Sequence, residues 1–289
     1  MTILCGAGTV FMDGTFRIVP RLFLQLYTIH AFFMGQMIPF VYFLLPNKQE
    51  ATYRRMFCLL KALAASLGLS FNPRVFQLDF EVATLKAIRR EFSTADLKGC
   101  NFHFQQCLWR KIQELGLSRQ YREPGVKCFV RSIGALALVP LSLMDEAWLE
   151  INAEAPSTDH PAYSSLENFK EYFIHTWLEN PSVFPRTLWN HYGKFESRTT
   201  NHVEGWHQAI NTALGKKHGN IYEIISLLQR QQQKFEEDML QLRMGGKPPR
   251  KSKKFEELNR KLRVFVEHFE TNQVSLIQYI HSVGFNLSF

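Results

Sequence analysis

The chain has 289 residues, enough to bury a substantial core as one large domain or as one domain with an inserted subdomain. An apolar fraction of 46% with 25 Phe excludes a disordered chain. A net charge of +8 favours an anionic partner, nucleic acid before an acidic membrane surface. The five cysteines (Cys5, Cys58, Cys100, Cys107 and Cys128) are scattered and form no C-x-x-C pair, which excludes a disulfide framework and suits a reducing compartment.

Residues 22–45 are greasy, but Gln25, His30, Gln36 and Pro39 interrupt them, so no transmembrane span is expected. No basic region precedes an apolar one at the start, so no signal peptide is expected either. The run Thr9–Asp13, followed by Gly14, reads as a strand. A core strand so near Met1 leads to the expectation of further sequence before it in a longer parent. The runs Leu22–Phe33 and Met37–Leu45, joined through Gly35, read as a hairpin that Pro46 ends. From Ala51 to Gly68, Tyr53, Met56, Phe57, Leu60, Leu63, Ala64 and Leu67 recur at helical spacing.

After the Asn72-Pro73 turn, Val75, Phe76, Leu78 and Phe80 make a short apolar run with Asp79 at its end. A helix is expected from Val82 to Phe92, a short strand over Leu97–Phe102, and a helix from Phe104 to Leu115, closed by Gly116. Three strands on short turns, then alternating helix and strand, describe an α/β mixed sheet flanked by helices. This is the order of the ribonuclease-H-like fold, in which strands one and four are neighbours, so Asp13 and Asp79 are expected side by side.

From 118 to 198 the pattern turns all-helical, with helices expected over Ile133–Val139, Met144–Ile151 and Leu166–Leu178. From Thr200 to Leu214, Val203, Trp206, Ile210 and Ala213 make an apolar face, beside a polar stripe of Glu204, His207, Gln208 and Asn211. A long helix over Ile221–Leu242, a basic loop at 245–254 and a helix over Phe255–Phe269 follow, with an apolar tail from Val274 to Phe289. The expected organisation is a core, first part, at 1–117 and a helical insertion at 118–198. Core completion with the Glu-bearing and long helices follows at 199–243, and the basic loop with a helical C-terminal region at 244–289.

Three carboxylates stand out: Asp13, Asp79 and Glu204. A carboxylate at the end of a core strand is costly unless paired or bound to metal. Three that converge make an oxygen-rich pocket for hard Mg²⁺ or Mn²⁺ ions. Two ions roughly 3.5–4 Å apart can activate an attacking oxygen and stabilise a leaving one on a phosphodiester. The blander reading makes each Asp a helix cap and Glu204 a solvated face. Glu81 competes with Glu204 for the third role, since strand alternation keeps it on the face of Asp79 unless the helix has begun. Cys100-x-x-His103 is half of a zinc pattern, but a structural zinc needs four ligands. The pair is expected to orient a carboxylate or phosphate; a plain buried histidine is the alternative. Lys216, Lys217, His218, Lys247, Arg250 and Lys251 lie in expected loops suited to gripping phosphates without reading sequence. The run from Lys247 to Lys254 also has the composition of a nuclear import signal. Trp109 and Trp206 are expected in the core.

Several motifs occur in a fixed order: Met12-Asp13-Gly14-Thr15-Phe16, Gln25-Leu26-Tyr27-Thr28-Ile29-His30, Asp79-Phe80-Glu81, Gly99-Cys100-x-Phe102-His103-x-x-Gln106-x-x-Trp109, and Asn201-x-x-Glu204-Gly205-Trp206-His207. As an ordered set they resemble the transposase catalytic domain of Mutator-like elements. The resemblance implies a ribonuclease-H-like core with a D-D-E triad on Asp13, Asp79 and Glu204, and a C-x-x-H motif on Cys100 and His103. It further implies two Mg²⁺ or Mn²⁺ ions, double-stranded DNA as partner, cleavage at element ends and strand transfer by freed 3′ hydroxyls. A homo-oligomer acting on DNA, in the nucleus, is expected. Full-length members usually carry a DNA-binding region before the core, whereas twelve residues precede Asp13 here. Two rivals remain open: a non-catalytic, domesticated DNA-binding or regulatory descendant, and a ribonuclease or exonuclease on the same sheet.

Overall fold

The structure is a computed structural model that describes residues 1–179, 182–195, 198–248 and 252–287. It divides into two compact units. One comprises Met1–Lys98 with Thr200–Arg250, the other Gly99–Thr199 with Lys251–Phe289. In chain order the elements are α1 (Thr2–Gly6), β1 (Thr9–Thr15), β2 (Gln25–Phe33), β3 (Gln36–Leu45), α2 (Glu50–Ser66), β4 (Val75–Leu78), α3 (Val82–Glu91) and β5 (Asp96–Gly99). Then come α4 (Asn101–Glu114), α5 (Pro124–Ala135), α6 (Met144–Ala153), α7 (Tyr163–Phe173), α8 (Arg186–Trp189), α9 (Asn201–Leu214), α10 (Ile221–Arg243), α11 (Lys253–Glu270) and α12 (Leu276–Asn286).

The first unit is built on a five-stranded mixed sheet in the order β3-β2-β1-β4-β5, the ribonuclease-H-like arrangement with helices on its faces. β1 runs antiparallel to β2 and parallel to β4. The β2–β3 hairpin turns on Met34 and Gly35, at φ 48° and 85°. Positive φ at both central residues is the two-residue turn whose twist matches paired strands. Leu22 and Leu24 stay outside the strand and are exposed, because a turn closed by Phe23 N–H on Pro20 O precedes it.

Alternation along β1 sends successive side chains to opposite faces. On one face, Tyr53, Met56, Phe57 and Leu60 of α2 and Leu85 and Ile88 of α3 are buried. An aromatic cluster of Phe57, Phe71, Phe76 and Phe92 fills this layer, with the Phe76 and Phe92 rings 4.8 Å apart. Towards the other face, Leu26, Trp206, Ile210, Ile224 and Leu227 form a core that joins the sheet to α9 and α10. α10 starts in a capping box, with Asn220 and Glu223 each accepting the other's backbone N–H.

The second unit is helical among its described residues. Phe104 stacks on Trp189 at 5.1 Å and meets Trp177 edge-on at 4.9 Å. The buried Trp189 indole donates to Trp177 O at 3.1 Å. α5 begins earlier than periodicity suggested because Pro124 occupies a first-turn position after an extended Glu123. Residues 136–138, expected to be helical, form a separate tighter turn. The Tyr279 hydroxyl donates to Leu138 O at 2.5 Å, fastening α12 to that turn. α1 and α8 had no periodic signal; at five and four residues they are too short to carry one. Among the described residues no helix is long and apolar enough to cross a membrane.

Candidate active site

Asp13 lies in β1 and is 8% exposed. Its Oδ1 accepts the Gly14 N–H at 2.8 Å, and its Oδ2 faces His207 Nδ1 at 3.3 Å. A Cβ at Gly14 would sit 2.4 Å from Gln25 Oε1, so a larger residue here would displace the Gln25 side chain. Asp79 follows β4 directly. The β1–β4 register pairs Phe11 with Gln77, so two residues further on it carries Asp79 to the level of Asp13, on the same face. Burial first, then the charges of Asp13 and Glu81, push the Asp79 carboxyl up to about 7. The Glu81 N–H, 3.3 Å from Asp79 Oδ1, and the Lys48 charge offset this only in part.

The capping role considered for Asp79 does not apply, since Glu81 occupies the cap position of α3. Glu81 itself is turned aside into other pairings. Its carboxylate contacts Lys48 Nζ at 2.6 Å and accepts from Thr84 Oγ1 at 3.5 Å. It also hydrogen-bonds the Tyr53 hydroxyl, which Gln25 Nε2 approaches at 2.6 Å. Glu204 sits in the first turn of α9, half-buried. Burial and then the charge of Asp13 push it up to about 7 as well. Asp13 is thus the electrostatic neighbour of both other carboxylates, and helix α9 brings the most distant member of the set to it.

Polar residues behind Asp13 form a buried row from two of the ordered motifs, Thr28 and His30 from one and His207 from the other. His207 Nε2 is 3.1 Å from Thr28 Oγ1, which is 2.8 Å from His30 Nε2. Thr28 Oγ1 also donates to Asp13 O at 3.3 Å. Burial and then the neighbouring His207 hold the His30 pKa well below its ordinary value. Its ring meets the Trp206 indole edge-on at 5.4 Å. His207 is one turn beyond Glu204, so one helix presents a carboxylate and the residue that braces another. The signal for this row was available in the alternation Thr28-Ile29-His30, where two polar side chains share one strand face. Tyr27, on the opposite side of β2, has its pKa raised by burial and by Asp79, Tyr53, Asp13 and Glu81, in that order.

The donor set suits a divalent cation. Three carboxylates offer hard oxygens, and two of them are disfavoured in the charged form by burial and by each other's neighbour. A cation at this place would reverse that penalty. Asp13 retains acceptor capacity on both oxygens besides its two contacts.

Cys100 and His103 belong to the second unit. Cys100 is buried and occupies the cap position of α4, and His103 lies in its first turn, because the helix starts at Asn101 rather than Phe104. Lys216 is paired with Glu223 at 2.8 Å. Lys217 and Lys247 are exposed. His218 is bound into the fold: its N–H donates to Arg17 O at 3.0 Å, and its Nδ1 is 3.0 Å from Val19 O. Arg250 and Lys251 lie outside the described residues. Trp206 is 8% exposed in the core and Trp109 packs on Tyr121 at 5.0 Å.

The frame of the site is a ribonuclease-H-like sheet; Asp13 lies inside β1, which runs on to Thr15 instead of ending at Asp13, and Asp79 directly follows β4. Residues 9–107 match the family model of the MULE transposase domain, so the ordered motifs and the family model agree over this segment. A search of the curated proteins finds no match. The matched segment holds Asp13 and Asp79 but ends before Glu204, whose place beside Asp13 comes from the fold alone. A transposase domain implies DNA binding and divalent-metal use.

Proposed function

We propose that this chain is the catalytic core of a DNA transposase, with Asp13, Asp79 and Glu204 as ligands of two Mg²⁺ or Mn²⁺ ions. One observation carries the reading. The carboxylates of Asp79 and Glu204 come from separate elements, and the charge of Asp13 raises the pKa of both. Bound ions of this kind supply an activated oxygen nucleophile and stabilise the leaving oxygen of a phosphodiester. The chain's own residues do the positioning. Gly14 N–H and His207 fix the Asp13 carboxylate, and the Glu81 N–H orients Asp79. Glu204 is held by a helix packed on the sheet through Trp206 and Ile210. Such support by neighbouring hydrogen bonds sets ligand geometry as much as the ligands do.

Exposed Lys217 and Lys247 supply charge for the DNA backbone, and Arg250 and Lys251, outside the described residues, add to it. We assign residues 118–198 as the insertion that separates Asp79 from Glu204 along the chain, and Cys100 and His103 as an accessory motif. The working form is a homo-oligomer on DNA, in the nucleus.

The test is nicking and strand transfer on supercoiled DNA with Mg²⁺ or Mn²⁺. Asp79→Asn is expected to lower the rate by more than about a hundredfold, beyond the loss typical of residues behind the ligands. DNA binding that survives with no cleavage under either metal would instead identify a transposase-derived binding protein. Degradation of RNA–DNA hybrids without end joining would identify a nuclease.

A further inference from the structure

The polar wall of α9 does not stop at Glu204. Glu204, His207, Gln208, Asn211 and Thr212 follow at steps of three and four along one side of the helix. With Arg17 from the segment after β1, they line a cavity of about 620 Å³. That volume lies within the roughly 300–1,000 Å³ common for ligand sites. His207 and Thr212 are already engaged, with Asp13 and Thr28 and with Gln208 O respectively, whereas Arg17, Gln208 and Asn211 offer further polar groups. Among the described residues, no carboxylate pairs with the Arg17 guanidinium, and the Gln208 side-chain amide makes no hydrogen bond. Asn211 Oδ1 is buried with no hydrogen-bond partner. A buried acceptor left unmet is unfavourable, so a cavity that keeps one is suited to a polar occupant.

The backbone around Arg17 is fixed. Arg17 O accepts the His218 N–H at 3.0 Å, and Ile18 O accepts the Gly219 N–H at 3.2 Å. His218 Nδ1 is 3.0 Å from Val19 O. The αL residue Gly215 ends α9 and lets the chain double back to make these bonds. Arg17 is therefore presented from a clamped segment opposite the amides of α9.

We infer that this cavity is a nucleotide subsite. It takes the nucleotide that flanks the phosphodiester held at Asp13, Asp79 and Glu204, with its phosphate on Arg17 and its base or sugar edge on Gln208 and Asn211. The inference rests on the carboxylates being the reaction centre. The guanidinium fork matches phosphate oxygens in pairs. Amides donate and accept at once, which matches the mixed edge of a base. Glu204 in the same wall repels a small anion beside it, so the phosphate belongs at the Arg17 end and the strand runs from there to the carboxylates.

The test uses the full chain in an Asp79→Asn background, where the proposed reaction is silent, with no added metal. Fluorescence anisotropy compares a blunt oligonucleotide duplex with one that ends in a single-stranded flank. Arg17→Ala and Asn211→Ala are each expected to weaken binding of the flanked probe about tenfold, the scale of one charge-assisted or buried hydrogen bond. Binding of the blunt probe stays unchanged, and Arg17→Lys restores part of the loss. If both alanine variants melt like their parent and bind the flanked probe equally well, the subsite is wrong. The two readings fail separately. A wild-type chain that never cleaves but shows Arg17-dependent flank binding keeps the cavity and loses the reaction. A chain that cleaves while both variants bind as the parent does keeps the reaction and loses the cavity.

Discussion

The two faces of the sheet differ by a single step along β1. Met12 is fully buried in an apolar setting, whereas Asp13 meets His207 and carries its charge to Asp79 and Glu204. The α2–α3 face is packed with Phe57, Phe71, Phe76 and Phe92, whose worth lies in the apolar area they bury. The α9 face buries Thr28, His30 and His207 in a hydrogen-bonded row that ends on a carboxylate. Buried polar groups cost stability unless partnered, and here the partners are spent on bracing an acidic group. One face is therefore packed by aromatic rings, and the other sets a polar row and the candidate carboxylates beside its own apolar core.

The sharpest way to break this division is Phe76→Ala. It should destabilise the chain by about 3–5 kcal/mol through cavity formation, read by chemical denaturation. Binding of divalent cations by the fraction that stays folded should not change. If metal affinity fell with stability, the two faces would not be separate in function. His207→Ala is the converse. It should cost about 1–3 kcal/mol, since it leaves buried partners unmet. It should also lower metal affinity or cleavage by about 10–100-fold. A loss of stability alone would make the row structural.

The carboxylates also separate the faces by pH. In the metal-free chain Asp79 and Glu204 have folded-state pKa values of about 7, above their unfolded values near 4. The folded state then binds more protons than the unfolded one between these limits. The stability this adds is fully present below about pH 4 and is lost as pH rises through about 7. A thermal melt should show a lower midpoint at about pH 8 than at about pH 5. Mg²⁺ or Mn²⁺ should raise the midpoint more at the higher pH, where the ligands are ionised. An equal rise at both would place the cation elsewhere. The smallest effect is expected at Lys217. Replacing it with Ala should leave the melt unchanged and reduce the salt slope of DNA binding by about one, as for a single phosphate contact.

Much of the frame was legible beforehand. The Gly35 turn, the alternation of β1 and the helical repeat of α2 are local patterns, each set by neighbours a few residues apart. So was the pairing of strands one and four, through the likeness of the element order to the ribonuclease-H-like fold. The start of α4 was misplaced by three residues, since Asn101-Phe102-His103 has no apolar periodicity that marks a helix. The stripe on α9 was visible, but nothing in it says that His207 reaches Asp13 while Gln208 and Asn211 face a cavity.

Residue order alone established which side chains lie on one face of each strand and helix, because the periods of two and 3.6 are properties of the backbone. Tertiary packing decided which of those faces meet. Glu204 comes beside Asp13 only when α9 settles on the sheet through Trp206 and Ile210. The same packing turns Glu81 away to Lys48 and Tyr53. A carboxylate's chemistry depends on its distance from other charges and on its burial, and both are fixed by contacts between segments far apart in the chain.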